Sequence, residues 1–262
     1  PGHTEKQMRY AICSLSVVPV RREPSDASEM TTQALFGEIF KVLERRASWS
    51  RIRLHHDGYE GWVSNKQYLE IPAEQYTTLA KEKPVYCAQS VAVCKSAQQA
   101  LPILIGSRLP GFENGTFVLG DQAYTFEGHT VSGKKPKSEI VRVARGFLGA
   151  PYLWGGRSFF GIDCSGFVQM CYRLCGRSLP RDAKDQATGG EVLSFVEEAE
   201  EGDTAFFDND QGDIVHVGIV LSDHRIIHAS GQVRIDTLDQ TGIYNAQVGR
   251  YTHKLRLLKR EK

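Results

Sequence analysis

The chain has 262 residues, 41% of them hydrophobic and 24% charged, with a formal net charge of +1 at pH 7. This is the composition of an ordinary soluble globular protein, long enough for two or three domains. The near-balanced, interspersed charges offer no face for nucleic acid, and no apolar run reaches membrane-spanning length.

The first residues, Pro1-Gly2-His3-Thr4-Glu5-Lys6, are polar and unlike a signal peptide. The chain does not start with Met, so a cytoplasmic protein and an exported one with its leader removed both fit. From residue 8 to about 132 there is no long helical period. Gly, Pro, Asn and Asp recur every several residues, which predicts short strands in small barrels. The clearest are residues 37–43, 49–54 and 59–63, with a helical segment expected ahead of them at 28–35. A second set follows Pro84, at 85–93, 100–105 and 115–119. Boundaries are expected at 78–83 and in the Gly-, Lys- and Pro-rich stretch 128–138, where Lys134-Lys135-Pro136-Lys137 reads as solvated linker. This divides the chain into 1–80, 81–132 and 133–262.

The last part reads differently. Residues 138–148 form a predicted helix, with Ser138 as N-cap and Ile140, Val141, Ala144, Phe147 and Leu148 on one face. A turn-rich segment, 149–156, follows. Residues 164–175 are a second helix, with Asp163 at the N-cap and Gly176 at the stop. Strands are predicted at 204–207, 215–221, 225–228 and 251–258. Helix first and antiparallel sheet after is an α+β arrangement.

Six cysteines are present: Cys13, Cys87, Cys94, Cys164, Cys171 and Cys175. Their spacing makes no disulfide framework and no C-x-x-C zinc pair. Cys171 and Cys175 fall on the apolar stripe of the second helix as small buried hydrophobes. Cys87 and Cys94 flank a possible hairpin across which they could pair, with reduced core positions the preferred reading.

Cys164 differs because it opens a helix. Unpaired N–H groups and the positive helix end favour a thiolate there, and the same amides can receive the oxyanion of acyl transfer. His216 lies on the predicted strand 215–221. Val215, Val217, Ile219 and Leu221 are expected to face a core, with His216 on the other side above Gly218. A tight turn at Ser222-Asp223 then sets His216 opposite or nearly opposite His228, whose ring can fix the tautomer of His216. A lone buried cysteine is usually core and a lone strand histidine usually structural. The conjunction of the three points to nucleophilic catalysis.

At these residues the sequence resembles the NlpC-type cysteine peptidases of bacterial cell-wall metabolism, a papain-like family. The matching stretches are Pro151-Tyr152-Leu153-Trp154-Gly155-Gly156, Asp163-Cys164-Ser165-Gly166-Phe167-Val168-Gln169 and Leu179-Pro180-Arg181-Asp182-Ala183 with Gln186. Gly202-Asp203-Thr204-Ala205-Phe206-Phe207, His216-Val217-Gly218-Ile219 and Ile227-His228-Ala229-Ser230-Gly231 complete the series. The resemblance implies a helix bearing Cys164 packed on an antiparallel sheet, with Cys164 as nucleophile, His216 as general base and His228 as third polar group. The front half resembles paired bacterial SH3-like domains of a γ-D-glutamyl-L-diamino acid endopeptidase subgroup. Its matches are Ser28-Glu29-Met30-Thr31-Thr32-Gln33-Ala34-Leu35-Phe36-Gly37-Glu38 and Asp57-Gly58-Tyr59-Glu60-Gly61-Trp62-Val63.

That subgroup implies two small SH3-like barrels before the peptidase domain. Glu29, Tyr59 and Asp163 would hold the free amine of an N-terminal L-Ala, with Glu38 as substitute for Glu29. Ser165 would bind the D-Glu α-carboxylate, Trp154 would line the cleft wall, and Arg181 and Asp182 would shape the rim or pair with each other. Asp163 also reads as a plain N-cap and Tyr59 as a barrel aromatic. The expected partner is a muropeptide, with a monomeric chain, no nucleic acid, no membrane span, no cofactor and no metal. Three other readings compete: a general wall endopeptidase, a wall- or peptide-binding module with a degenerate peptidase domain, and a zinc site at Cys171 and Cys175 with a histidine.

Overall fold

The structure, a computed structural model, describes residues 7–262; the polar N-terminal segment 1–6 lies outside them. Two compact units divide the chain, the first ending at Gly133 and the second running from Lys134 to Lys262.

In the first unit, β1 (Arg9–Ile12), β2 (Val17–Arg21), β3 (Met30–Leu35), β4 (Ile39–Arg45), β5 (Trp49–Leu54), β6 (Glu60–Ser64) and β7 (Leu69–Ile71) form an antiparallel sheet. The strand order is β3-β2-β6-β5-β4-β1-β7. Residues 30–35 are therefore strand, not the helix expected there. Thr31 and Thr32 are β-branched, and β3 pairs along β2 with Val18 facing Ala34 and Val20 facing Thr32. Helix α1 (Ala73–Lys81) stands where only a boundary was expected. Pro72 sets its entry, and Tyr76 and Leu79, three residues apart, are its buried face.

The unit continues with β8 (Val85–Cys87), β9 (Val91–Lys95), β10 (Ala100–Leu104), β11 (Thr116–Leu119), β12 (Gln122–Phe126) and β13 (Thr130–Ser132). They make a four-stranded sheet in the order β10-β9-β12-β11 and a β13-β8 ladder. One apolar cluster joins Ile12, Phe36 and Ile39 to Cys87, Ile103, Phe117 and Tyr124, so a shared core crosses the boundary expected near 80. All six cysteines are buried thiols, none of them in a disulfide.

The second unit opens with α2 (Lys137–Arg145). Pro136, rather than Ser138, occupies its N-cap, and the helix gives way at Gly146, which leaves Leu148 exposed instead of on the buried face. A short hairpin of β14 (Arg157–Ser158) and β15 (Gly161–Ile162) leads into α3 (Cys164–Leu174). After the single turn α4 (Ala183–Gln186) come β16 (Glu191–Leu193), β17 (Thr204–Asp208), β18 (Ile214–Leu221), β19 (Arg225–Ser230), β20 (Gln232–Leu238), β21 (Gly242–Asn245) and β22 (Arg250–Arg260). The order is β16-β22-β17-β18-β19-β20-β21, and β21 also pairs with the first half of β22. Six strands thus close into a ring. Sequence periodicity missed β16, β20 and β21.

Closure buries both faces of β18. Val220 lies in a cluster with Phe207, Ile226, Leu238 and Ile243, while Val217 and Ile219, on the opposite face, are fully buried. Helix α3 contacts β18 and β19. Val215, expected in the core with them, is 52% exposed because it precedes the covered stretch. Asp203 anchors the ring to α2: its buried carboxylate receives Lys137, Arg260 Nη2 (3.0 Å) and the Glu200 amide.

Candidate active site

Asp163 caps α3 as expected, but it does more than cap. Its Oδ1 accepts from the Gly166 amide at 2.7 Å and from Arg181 Nη1 at 2.9 Å; its Oδ2 accepts from the Gly155 amide and Arg181 Nη2, both at 2.9 Å. Arg181 Nη1 also donates to Ser165 Oγ at 2.9 Å. Arg181 therefore pairs with Asp163, not with its neighbour Asp182, which stands at the N-cap of α4 without a side-chain cap bond. Gln186 Nε2 ties that segment down by donating to the carbonyls of Ser165 and Pro180. Gly166 follows Ser165 for a steric reason. A Cβ there would sit 2.5 Å from the Gly156 carbonyl oxygen and 2.8 Å from Asp163 Oδ1. Gly155 turns with φ +82°, which brings its amide to the Asp163 carboxylate.

Cys164 is 8% exposed at the first turn of α3. Its sulfur lies against the backbone flanking His216, 4.0 Å from the Val215 carbonyl oxygen. Burial first, and the Asp163 charge second, push the thiol up to about 11; hydrogen bonds from the backbone of Val217 and Ser165 and the charge of Arg181 act the other way. The helix end thus supplies anion-stabilising donors, but in the closed site desolvation outweighs them. Tyr152 is a neighbour that the sequence reading left unassigned. Burial, Cys164 and Asp163, in that order, push its hydroxyl up to about 12.

His216 and His228 meet on the inner side of the strand ring. His228 is in register with Gly218, two residues from His216. The missing glycine side chain leaves the space: a Cβ at 218 would lie 3.0 Å from His228 Cβ. Across this gap His216 Nε2 and His228 Nδ1 are 2.8 Å apart, within hydrogen-bond distance. Two further residues join them that sequence reasoning did not find. Asp236 on β20 accepts from His228 Nε2 at 2.7 Å, and is itself gripped by Arg234 through Nε–Oδ2 (2.8 Å) and Nη2–Oδ1 (3.1 Å). His253 on β22 stacks on His216 with ring centroids 4.1 Å apart and planes at 23°. Phe207 lies beyond, 5.7 Å from His216. Burial, then His253 and His228, hold the His216 imidazole well below the usual histidine range. Burial and then His228 bring His253 down to about 4.

Among the described residues, His216, His228 and His253 form the one cluster able to offer three metal ligands, with ring nitrogens all within 4.8 Å. Its geometry suits a hydrogen-bonded chain better. Zinc-bound nitrogens stand about 3.4 Å apart, wider than the 2.8 Å seen here, and the lone pairs of stacked rings run side by side rather than converging. Cys171 and Cys175 are not part of it.

The remaining predicted residues are placed as follows. Trp154 is 62% exposed on the loop before β14. Glu29 and Tyr59 belong to the first unit. Glu29 lies 3.4 Å from Arg22 at the end of the β2–β3 pair, and Tyr59 packs against the first-unit core beside Val63 and Leu54. Glu38, the substitute for Glu29, is buried, accepts the Leu35 amide and lies 3.1 Å from His56.

Comparison with known proteins fits this architecture. Residues 149–252 match the NlpC/P60 family, and residues 20–67 match the bacterial dipeptidyl-peptidase Sh3 domain. A gamma-D-glutamyl-L-lysine dipeptidyl-peptidase of Bacillus subtilis is 32% identical over 245 residues, covering 83% of this chain and 78% of that protein. The Bacillus cereus protein of the same name is 28% identical over 254 residues, covering 86% and 75%. A crystal structure of an NlpC/P60 family protein from Bacillus cereus shares the fold with a TM-score of 0.80 at 22% identity, over 96% of this chain and 99% of that one. The chain belongs to the NlpC/P60 family. It is a peptidase of that family with an N-terminal bacterial SH3-like domain.

Proposed function

We propose that the protein is a papain-like cysteine peptidase that cleaves the bond between γ-D-Glu and L-Lys or diaminopimelate in muropeptides with a free N-terminal L-Ala. The observation that carries the reading is the His216–His228 pair, 2.8 Å apart across β18 and β19, with the helix-opening Cys164 sulfur against the backbone next to His216. Its Lys specificity draws on the relatives' name. His216 takes the thiol proton as the sulfur attacks the γ-carbonyl of D-Glu. The amides opening α3 receive the oxyanion, His216 returns the proton to the leaving amine, and water frees the L-Ala-D-Glu acyl group. A neutral thiol and a neutral imidazole at rest suit this order, because the ion pair forms only when substrate arrives.

The amine clamp follows the same reading. Glu29 and Tyr59, together with Asp163, hold the ammonium of the N-terminal L-Ala in this reading, because a cation taken into a cleft needs carboxylate partners. Residues 1–80 and 81–132 act as two SH3-like domains and residues 133–262 as the peptidase, working as one copy without metal. Cys164→Ala should abolish release of L-Lys from L-Ala-γ-D-Glu-L-Lys, and persistent turnover rejects the mechanism. Acetylating the substrate amine should block cleavage; equal rates on free and blocked peptide reject the clamp.

A further inference from the structure

We infer that Asp236 is a positioning residue that fixes the protons of both imidazoles, leaving His216 with a bare Nδ1 as the base. The inference rests on the cysteine-peptidase reading and deepens it.

Burial works to raise the Asp236 pKa, but the bonds from His228 and Arg234 prevail and hold it below the usual carboxylate range. An ionised carboxylate only accepts, so the proton in the 2.7 Å contact sits on His228 Nε2. With that proton as its only one, His228 carries a lone pair on Nδ1. The 2.8 Å contact between His228 Nδ1 and His216 Nε2 needs one proton, and it must come from His216 Nε2. Burial keeps the His216 ring to a single proton, so its Nδ1 is bare. Each assignment follows from the one before, and the chain starts at Asp236.

Removing that anchor changes the chemistry without touching the thiol. If His228 carries its proton on Nδ1, it donates to His216 Nε2, and the His216 proton moves to Nδ1. That ring can no longer accept a proton there. Arg234 makes the anchor stiff by engaging both carboxylate oxygens, and Gln247 Oε1 accepts from its Nη2 at 3.1 Å. The other titratable group facing the pair is His253, from β22, stacked on the far side of His216. During turnover Asp236 stays ionised. It stabilises the imidazolium formed at His216 through the intervening ring and takes up no proton itself.

The test uses the full chain labelled with 15N at histidine. Long-range proton–nitrogen spectra of the wild type at pH 7 should show protonated Nε2 and bare Nδ1 on both His216 and His228. Asp236→Asn, with its amide turned to donate, should invert both tautomers. It should lower kcat for L-Ala-γ-D-Glu-L-Lys by about 100-fold or more, as expected for a wrong tautomer, with KM within about threefold. Asp236→Glu should restore the wild-type tautomers and part of kcat. A wild-type spectrum with His228 doubly protonated, or with the His216 proton on Nδ1, overturns the inference even if the variant does not fold. So does unchanged kcat in a folded Asp236→Asn. Failure of the cysteine-peptidase reading looks different: turnover persists in Cys164→Ala while the tautomers stay as assigned.

Discussion

Two buried carboxylates flank the site, each held by an arginine through both oxygens, yet they hold different things. Asp163 spends its acceptors on backbone amides of residues 155 and 166 and on Arg181. It fixes the path of the chain around Cys164. Asp236 has Arg234 on one side and an imidazole on the other. It fixes where a proton sits. The same residue type thus serves geometry at one end of the site and protonation at the other.

Substitutions can separate these roles. Arg181→Ala should have the largest effect, because it leaves a carboxylate uncompensated where the arginine side chain is 1% exposed. Loss of a partner from a buried pair costs about 3–5 kcal/mol, readable as a lower urea midpoint. Arg234→Ala should cost less stability, since that side chain is 21% exposed, and its loss should register in kcat instead. Equal stability losses would erase the distinction drawn between the two pairs.

The acid limb of stability gives a finer test. In the unfolded chain His216 and His253 take up protons near 6.5, while the fold resists protonation of both, down to about 4 for His253. Between those values the unfolded chain binds more protons, so stability falls as pH drops from 7 to 4. His253→Phe keeps a ring against His216 and removes one titration. Its urea midpoint should fall less steeply over that window, and an unchanged slope would show that His253 does not contribute. The smallest effect belongs to Glu29→Gln, which should raise KM for the free-amine peptide several-fold and leave stability unchanged.

The placements of Cys164, His216 and His228 were legible locally: a capped helix start, a strand above a glycine, a paired strand after a tight turn. Those of Asp236 and His253 were not. Each is a single polar residue on a strand with no spacing signal: Asp236 reaches His228 from the neighbouring strand β20, which periodicity missed, and His253 comes from β22. Val215 broke the expected pattern for another reason: it precedes the covered stretch of β18 and is exposed. Arg181 was visible as a site residue, but its partner was not. Chain proximity suggested Asp182, whereas the fold brings Asp163 to it. In the first unit, the 28–35 stretch misled because its apolar spacing fits either period over so short a run. Its pairing with β2 decided in favour of strand.

β22 is long enough to pair with β17 along one side and with β21 along the stretch 250–254, where His253 stands. The rim that holds the imidazoles therefore offers no free strand edge from which unzipping could start. Amide deuterium uptake should be slow across residues 216, 228 and 253, set by concerted opening of the whole unit rather than by local breathing.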